Sequence, residues 1–142
     1  MKNKNRHGSY SFDRSYYKES IHILRFSGAW NIETAYDAMN EQEGMVSERL
    51  AHSAWAGIAD MRQWEASPPE VIDAFNSGIK RLINLNFRYH AMLPNQHMKS
   101  LNENIADKYM EHVSSALITC YFNNEEEAIA WGRTKLQSHK AK

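Results

Sequence analysis

Three features of this 142-residue chain predict an α/β domain with a mostly parallel, four- to five-stranded sheet built from repeated βα units. The hydrophobic period switches from 2 to 3.6 and back along the chain, the pattern of strands alternating with helices. One segment, Ala54 to Ala59, is apolar throughout, as befits a central strand covered on both faces. The third feature is punctuation: Gly28, Asp60 and Pro94 end apolar runs, while Asn31, Ser67 and Asn124 precede amphipathic ones. Strands separated by a helix run parallel and cross over right-handedly, which leaves only the first short strand free to run antiparallel.

Taken in order, Ser9 to Phe12 reads as a short edge strand and Ile21 to Phe26 as a better one, ending at Ser27-Gly28, where glycine takes a positive φ cheaply. Asn31 reads as a helix N-cap, and Ile32, Tyr36, Met39, Val46 and Leu50 fall close to one helical face, weakened late by Gly44. After the strand closed by Asp60 comes a polar stretch with Trp64. Then Ser67-Pro68-Pro69-Glu70 has the form of a capping box with proline at the first helical position. The helix it opens carries Val71, Phe75, Ile79, Leu82 and Ile83 and is expected to reach Asn86. Tyr89 to Leu93 is the next strand, followed by a helix with Leu101, Ile105, Tyr109 and Val113 spaced four apart. Leu117 to Phe122 is a final strand, and Asn124 caps a helix whose Glu125, Glu126 and Glu127 suit the positive end of a helix dipole.

Composition sets the class. Apolar residues make up 42% and charged residues 24%, ordinary globular usage that predicts unaided folding as one domain, with a core from 8 to 136 and flexible basic tails over 1–7 and 137–142. Lys2, Lys4, Arg6, Arg133, Lys135, Lys140 and Lys142 account for seven of the seventeen bases, so the body between Gly8 and Gly132 holds ten bases against seventeen acids, a net of −7. Such a body repels phosphate backbones, so nucleic acid is not an expected partner. Cys120 is the only cysteine, which excludes an intrachain disulfide and a thiolate metal cage. No apolar h-region follows Met1 to Arg6, and no apolar run approaches the roughly 20 residues of a membrane span; a cytoplasmic location is expected.

The order of elements, with Gly28-Ala29-Trp30-Asn31, then Ile58-Ala59-Asp60-Met61, then Tyr121-Phe122 leading into Glu126-Glu127-Ala128-Ile129-Ala130-Trp131, resembles the SpoIIAA-like fold of STAS domains, and in particular uncharacterised bacterial members of that superfamily. The resemblance spans Gly8 to Leu136. It implies a non-enzymatic regulatory or protein-interaction domain. In the anti-sigma-factor antagonists of that superfamily a phosphorylatable serine stands in an Asp-Ser-Ser-Gly-like turn before the helix after the third strand. Here the turn reads Trp64-Glu65-Ala66-Ser67-Pro68-Pro69-Glu70, so Ser67 alone stands near that place. The same scaffold serves SEC14-type lipid carriers, which implies an alternative role as binder of a lipid or other apolar small molecule.

Each residue that could carry chemistry also has a simpler role. Ser67 is either a helix N-cap, answered by Glu70, or a candidate phosphorylation site flanked by Glu65 and Glu70. Asp60, Arg62 and Asp73 could gather at the carboxyl end of the third strand, where open α/β sheets place ligands. The seven histidines show no helical ligand spacing, so no metal is expected, and His22, His90, His97 and His112 read as surface or half-buried side chains. The chain has no nucleophile elbow, phosphate loop or dinucleotide fingerprint, so neither a catalytic group nor a cofactor is expected. Trp55 and Trp131 read as core. Trp30 and Trp64 fall in connections on one rim and are either an exposed platform beside Arg62 and Ser67 or lids over helix ends. The expected binding rim is therefore Trp30, Asn31, Asp60, Arg62, Trp64 and Ser67, with a protein as partner and a second copy of the chain among the candidates.

Overall fold

A computed structural model of the chain describes residues 7–65, 67–96 and 116–140. They form strands β1 (Ser9–Asp13), β2 (Ile21–Gly28), β3 (Trp55–Trp64), β4 (Phe87–Leu93) and β5 (Ile118–Tyr121), with helices α1 (Ile32–Arg49), α2 (Pro69–Ile83) and α3 (Glu125–Lys140). The helix expected around Leu101 to Val113 lies outside the described residues, as do His97 and His112. The strands stand in chain order in one sheet. β1 pairs antiparallel with β2, and the remaining neighbours pair in parallel. The sheet is thus mixed rather than mostly parallel: the link from β1 to β2 is a 3-10 turn at Tyr17–Glu19, too short for the crossover that a parallel pair needs.

Period-2 alternation sorts the strand side chains onto two faces. Leu24, Phe26, Ala59, Met61 and Met92 face α1 and α2, while Ile21, Ile23, Ile58, Ala91 and Leu93 face α3. β3 lies between two covered faces and is buried without a break from Trp55 to Met61, which is why its sequence is apolar at consecutive positions. Gly28 takes φ +74° at the end of β2, and Asn31 Oδ1 accepts the Thr34 N–H as the cap of α1, both as expected from sequence. Asn124 Oδ1 likewise accepts the Glu127 N–H at the start of α3. That helix runs to Lys140, past Leu136, the expected edge of the core.

Four expectations are corrected. Met39, Val46 and Leu50 of the expected α1 stripe are buried, but Tyr36 is 55% exposed, and the inward face is completed by Thr34, Ala35, Ala38 and Gln42. α2 has Pro68 at its N-cap, with Pro69 opening the helix and no side-chain cap, so the Ser67–Glu70 capping box does not form. The same helix stops at Ile83, short of Asn86, which adopts φ +74°, a left-handed conformation that asparagine tolerates. Finally, His22 and His90 are buried. Tyr17 Oη lies 2.8 Å from His22 Nδ1, and His22 Nε2 is 3.0 Å from Gln42 Oε1; since a carbonyl oxygen only accepts, Nε2 carries the proton.

Candidate functional site at the carboxyl rim of the sheet

β2 and β3 run parallel, so their following connections meet on one rim. Glu65 N–H donates to the Gly28 carbonyl at 3.0 Å, and Trp30 N–H donates to Ser67 Oγ at 3.1 Å, which in turn donates to the Glu65 carbonyl at 3.3 Å. Ser67 therefore clamps one loop to the other instead of capping α2. Asn31 Oδ1 also accepts the N–H of His7, tying the start of the described chain to the same rim.

The two rim tryptophans are lids, not a platform. Trp30 is 1% exposed and Trp64 3%. Trp30 stacks on Phe26 at 4.5 Å and meets Phe75 edge-on at 5.6 Å, and its Nε1 lies 3.1 Å from the Ser9 carbonyl and 3.2 Å from that of Ser27. Trp64 packs on Phe26 and Phe75 from the other side. It belongs to β3 rather than to the connection. A register irregularity, with Arg25 opposite Asp60 but Ser27 opposite Gln63, puts an additional residue on β3 and shifts its alternation, so Trp64 joins Met61 in the same core cluster.

On the α3 face, just short of the rim, five charged side chains interlock. Asp60 Oδ1 and Oδ2 each accept from the Arg62 guanidinium at 2.9 Å, a bidentate pair, and Asp60 Oδ1 also accepts the Arg62 N–H at 3.2 Å. Arg25 reaches Asp13 at 3.1 Å, Glu125 at 2.7 Å and Asp60 at 3.7 Å, and Arg62 lies 3.5 Å from Glu125. Burial alone would raise the pKa of Asp60, but hydrogen bonds from Arg62 and the charges of Arg62 and Arg25 outweigh it and hold the carboxyl below its usual range. Asp13 is lowered by its bonds to Ser15 and, more weakly, by Arg25. Burial opposes the charge of Arg25, yet its carboxylate partners raise its pKa overall, and Arg62 is raised chiefly by its bonds to Asp60. Each of these four groups is pushed toward its charged form, the opposite of what a proton-transfer pair requires.

The structure brings Asp60 and Arg62 together and leaves Asp73 exposed, in no ion pair among the described residues. Arg25, Asp13 and Glu125 are network members that sequence reasoning missed. The available signal was Arg25 itself, a charge set among the apolar residues Ile23, Leu24 and Phe26. Among the described residues no group of three or more His, Cys, Asp or Glu side chains is placed to hold a metal ion, and no helix is long and apolar enough to cross a membrane.

Five strands in chain order with one antiparallel edge, α1 and α2 on one face and a carboxyl-terminal helix on the other, form a recurring architecture. An uncharacterised protein of the DUF3478 family from Shewanella loihica PV-4 with a SpoIIAA-like fold superposes at a TM-score of 0.63, with 11% identity over 93% of this chain and 98% of that one. The chain has the SpoIIAA-like fold. The anti-sigma factor antagonist SpoIIAA in its unphosphorylated form matches at a TM-score of 0.56 and 9% identity, over 89% of this chain and 98% of that chain. An anti-sigma factor antagonist from Mycobacterium paratuberculosis matches at 0.56 and 12%, over 88% and 95%. No family model matches the sequence, and no curated protein does. SpoIIAA-like architecture is therefore shared with these structures at 9–12% identity, as happens when a common apolar framework is filled by different side chains.

Proposed function

We propose that this chain is a non-enzymatic protein-interaction domain of the STAS kind, docking a protein partner at the rim of Gly28 to Asn31 and Arg62 to Glu70. The observation that carries the reading is Arg62. Its side chain is 40% exposed, yet Asp60 grips it at two points, so a charged group is presented to solvent in a fixed orientation. Such preorganisation lowers the ordering cost of binding. Gln63 and Glu65 are exposed beside it, while Trp30 and Trp64 support the rim from beneath. The SpoIIAA-like fold of two anti-sigma factor antagonists adds support by analogy. Ser67 as a modification site is less favoured, because its hydroxyl is engaged between the two loops.

Quantitative affinity capture from host lysate tests the proposal with the wild-type chain, Arg62→Glu, and Lys80→Glu on the exposed side of α2. Proteins captured by wild type and the Lys80 variant should fall at least about tenfold with Arg62→Glu, the size of effect seen on reversing a contacting charge. Undiminished capture by a folded Arg62→Glu variant would remove the rim from consideration.

A further inference from the structure

Among the described residues the sheet carries two helices on one face and α3 alone on the other. Five strands about 4.8 Å apart make a surface about 24 Å wide, and one helix of about 10 Å diameter covers roughly half of it. What α3 leaves open differs at the two edges. Toward β1 the strip is polar, with Ser9 and Ser11 exposed and Arg25 bound to Asp13. Toward β5 it is apolar. Ile118 and Cys120 stand opposite Tyr89 and Ala91 and so share the α3 face. Ile118 is 48% exposed. Trp131 turns from α3 toward this strip, meets Phe122 at 5.5 Å and Tyr89 at 6.1 Å, and remains half-buried.

One turn to either side of Trp131, Glu127 and Lys135 lie on the same flank of α3, at i−4 and i+4. Neither forms an ion pair among the described residues. They stand about 12 Å apart along the helix, too far to pair with each other. The order acid, tryptophan, base is its own complement. When two such helices lie antiparallel about a two-fold axis at Trp131, Glu127 of each copy faces Lys135 of the other and the indole rings meet between them. The second copy's α3 then takes the place left open beside α3, over β4 and β5, and covers Ile118. The apolar strip would suit many partners; the charge pattern selects a second copy. We propose that two copies of this chain associate through this flank as a symmetric dimer, with Trp131 and Ile118 buried and two Glu127–Lys135 pairs around them. Arg62 and the rim loops lie outside this surface, so the dimer and the rim reading stand or fall separately.

Sedimentation equilibrium of the full chain at low ionic strength tests the dimer. One helix flank and one short edge strand belong at the weak end of specific interfaces, so a Kd on the order of tens of micromolar is expected. Glu127→Lys alone sets lysine against lysine at both ends, and Lys135→Glu alone sets glutamate against glutamate; each should weaken the dimer at least about tenfold. Mixing the two single variants should restore association, because only the mixed dimer pairs opposite charges at both ends. The double variant should associate like wild type. Ile118→Glu, at an exposed position outside the core, should weaken the dimer about tenfold without touching the charged stripe. A wild-type chain that stays monomeric at about 1 mM, single variants that associate as well as wild type, a mixture no tighter than either variant alone, or an unaffected Ile118→Glu variant would each overturn the proposal.

Discussion

Trp30 and Trp64 reach the rim and then turn their rings inward, where Phe26 and Phe75 lie between or beside them. Trp30→Ala should therefore cost about 3–5 kcal/mol in urea denaturation, the range for truncating a buried large aromatic. Arg62→Ala should cost no more than about 1 kcal/mol, because Asp60 keeps Arg25 as a neighbour and Arg62 is half in solvent. Buried His22 and His90 make a second residue-level prediction. Burial lowers each pKa to about 4 from 6.5, partly opposed in His22 by its bond to Gln42. The unfolded chain takes up these protons near pH 6.5, whereas the native chain resists until about 4. The histidine contribution to stability is thus complete above about pH 6.5, is lost as pH falls through that window, and levels off below 4, where the depressed carboxyls of Asp60 and Asp13 take over the loss. The loss is on the order of 3 kcal/mol per histidine. Urea midpoints at pH 7.5, 6.5, 5.5 and 4.5 would trace the fall, and His90→Leu should remove about half of its slope.

At the level of elements, glycine positions show how tightly each element is packed. Gly57 in β3 sits under the stacked rings of Trp55 and Phe87, and an added Cβ would come within 2.9 Å of Phe87 and 3.2 Å of Trp55. Gly57→Ala should destabilise by about 1–3 kcal/mol through overpacking. Gly44, exposed within α1, has open space where a Cβ would stand, with nothing within 4 Å of that point. Gly44→Ala should stabilise by roughly 0.5–1 kcal/mol, because alanine loses less backbone entropy in a helix. Thermal melts of the two variants should move in opposite directions; an unchanged or raised melt for Gly57→Ala would mean that packing around β3 is looser than these distances imply.

Across the whole molecule, Arg25 works as a clasp. From β2 it holds Asp13 on β1, Asp60 on β3 and Glu125 at the first turn of α3, so one side chain joins elements 100 residues apart in sequence. Removing it leaves three carboxylates facing one another with Arg62 as their remaining cation among the described residues. Arg25→Ala should cost about 1–2 kcal/mol, between the values for surface and buried pairs. Native-state hydrogen exchange should show the loss locally, with faster exchange in β1 and the first turn of α3 and little change in β3 and β4. Uniform acceleration throughout the sheet would instead identify Arg25 as part of the global core.

What could be read from sequence was whatever depends on local periodicity and local caps. Doubly buried β3, the αL glycine at Gly28 and the asparagine caps at Asn31 and Asn124 each leave a mark within a few residues. Tertiary structure alone decided where parity and partners are set at long range. The register shift in β3 turned Trp64 from an expected rim residue into core. The proximity of two loops took Ser67 away from α2 and gave it to Trp30. The meeting of β1, β2, β3 and α3 recruited Asp13, Arg25 and Glu125 around the pair that sequence spacing had suggested, and the surroundings of His22 and His90 were set by packing. A single chain encodes the first kind of information in neighbouring residues; the second kind exists only once distant segments share space, because burial and charge pairing are properties of surroundings rather than of spacing.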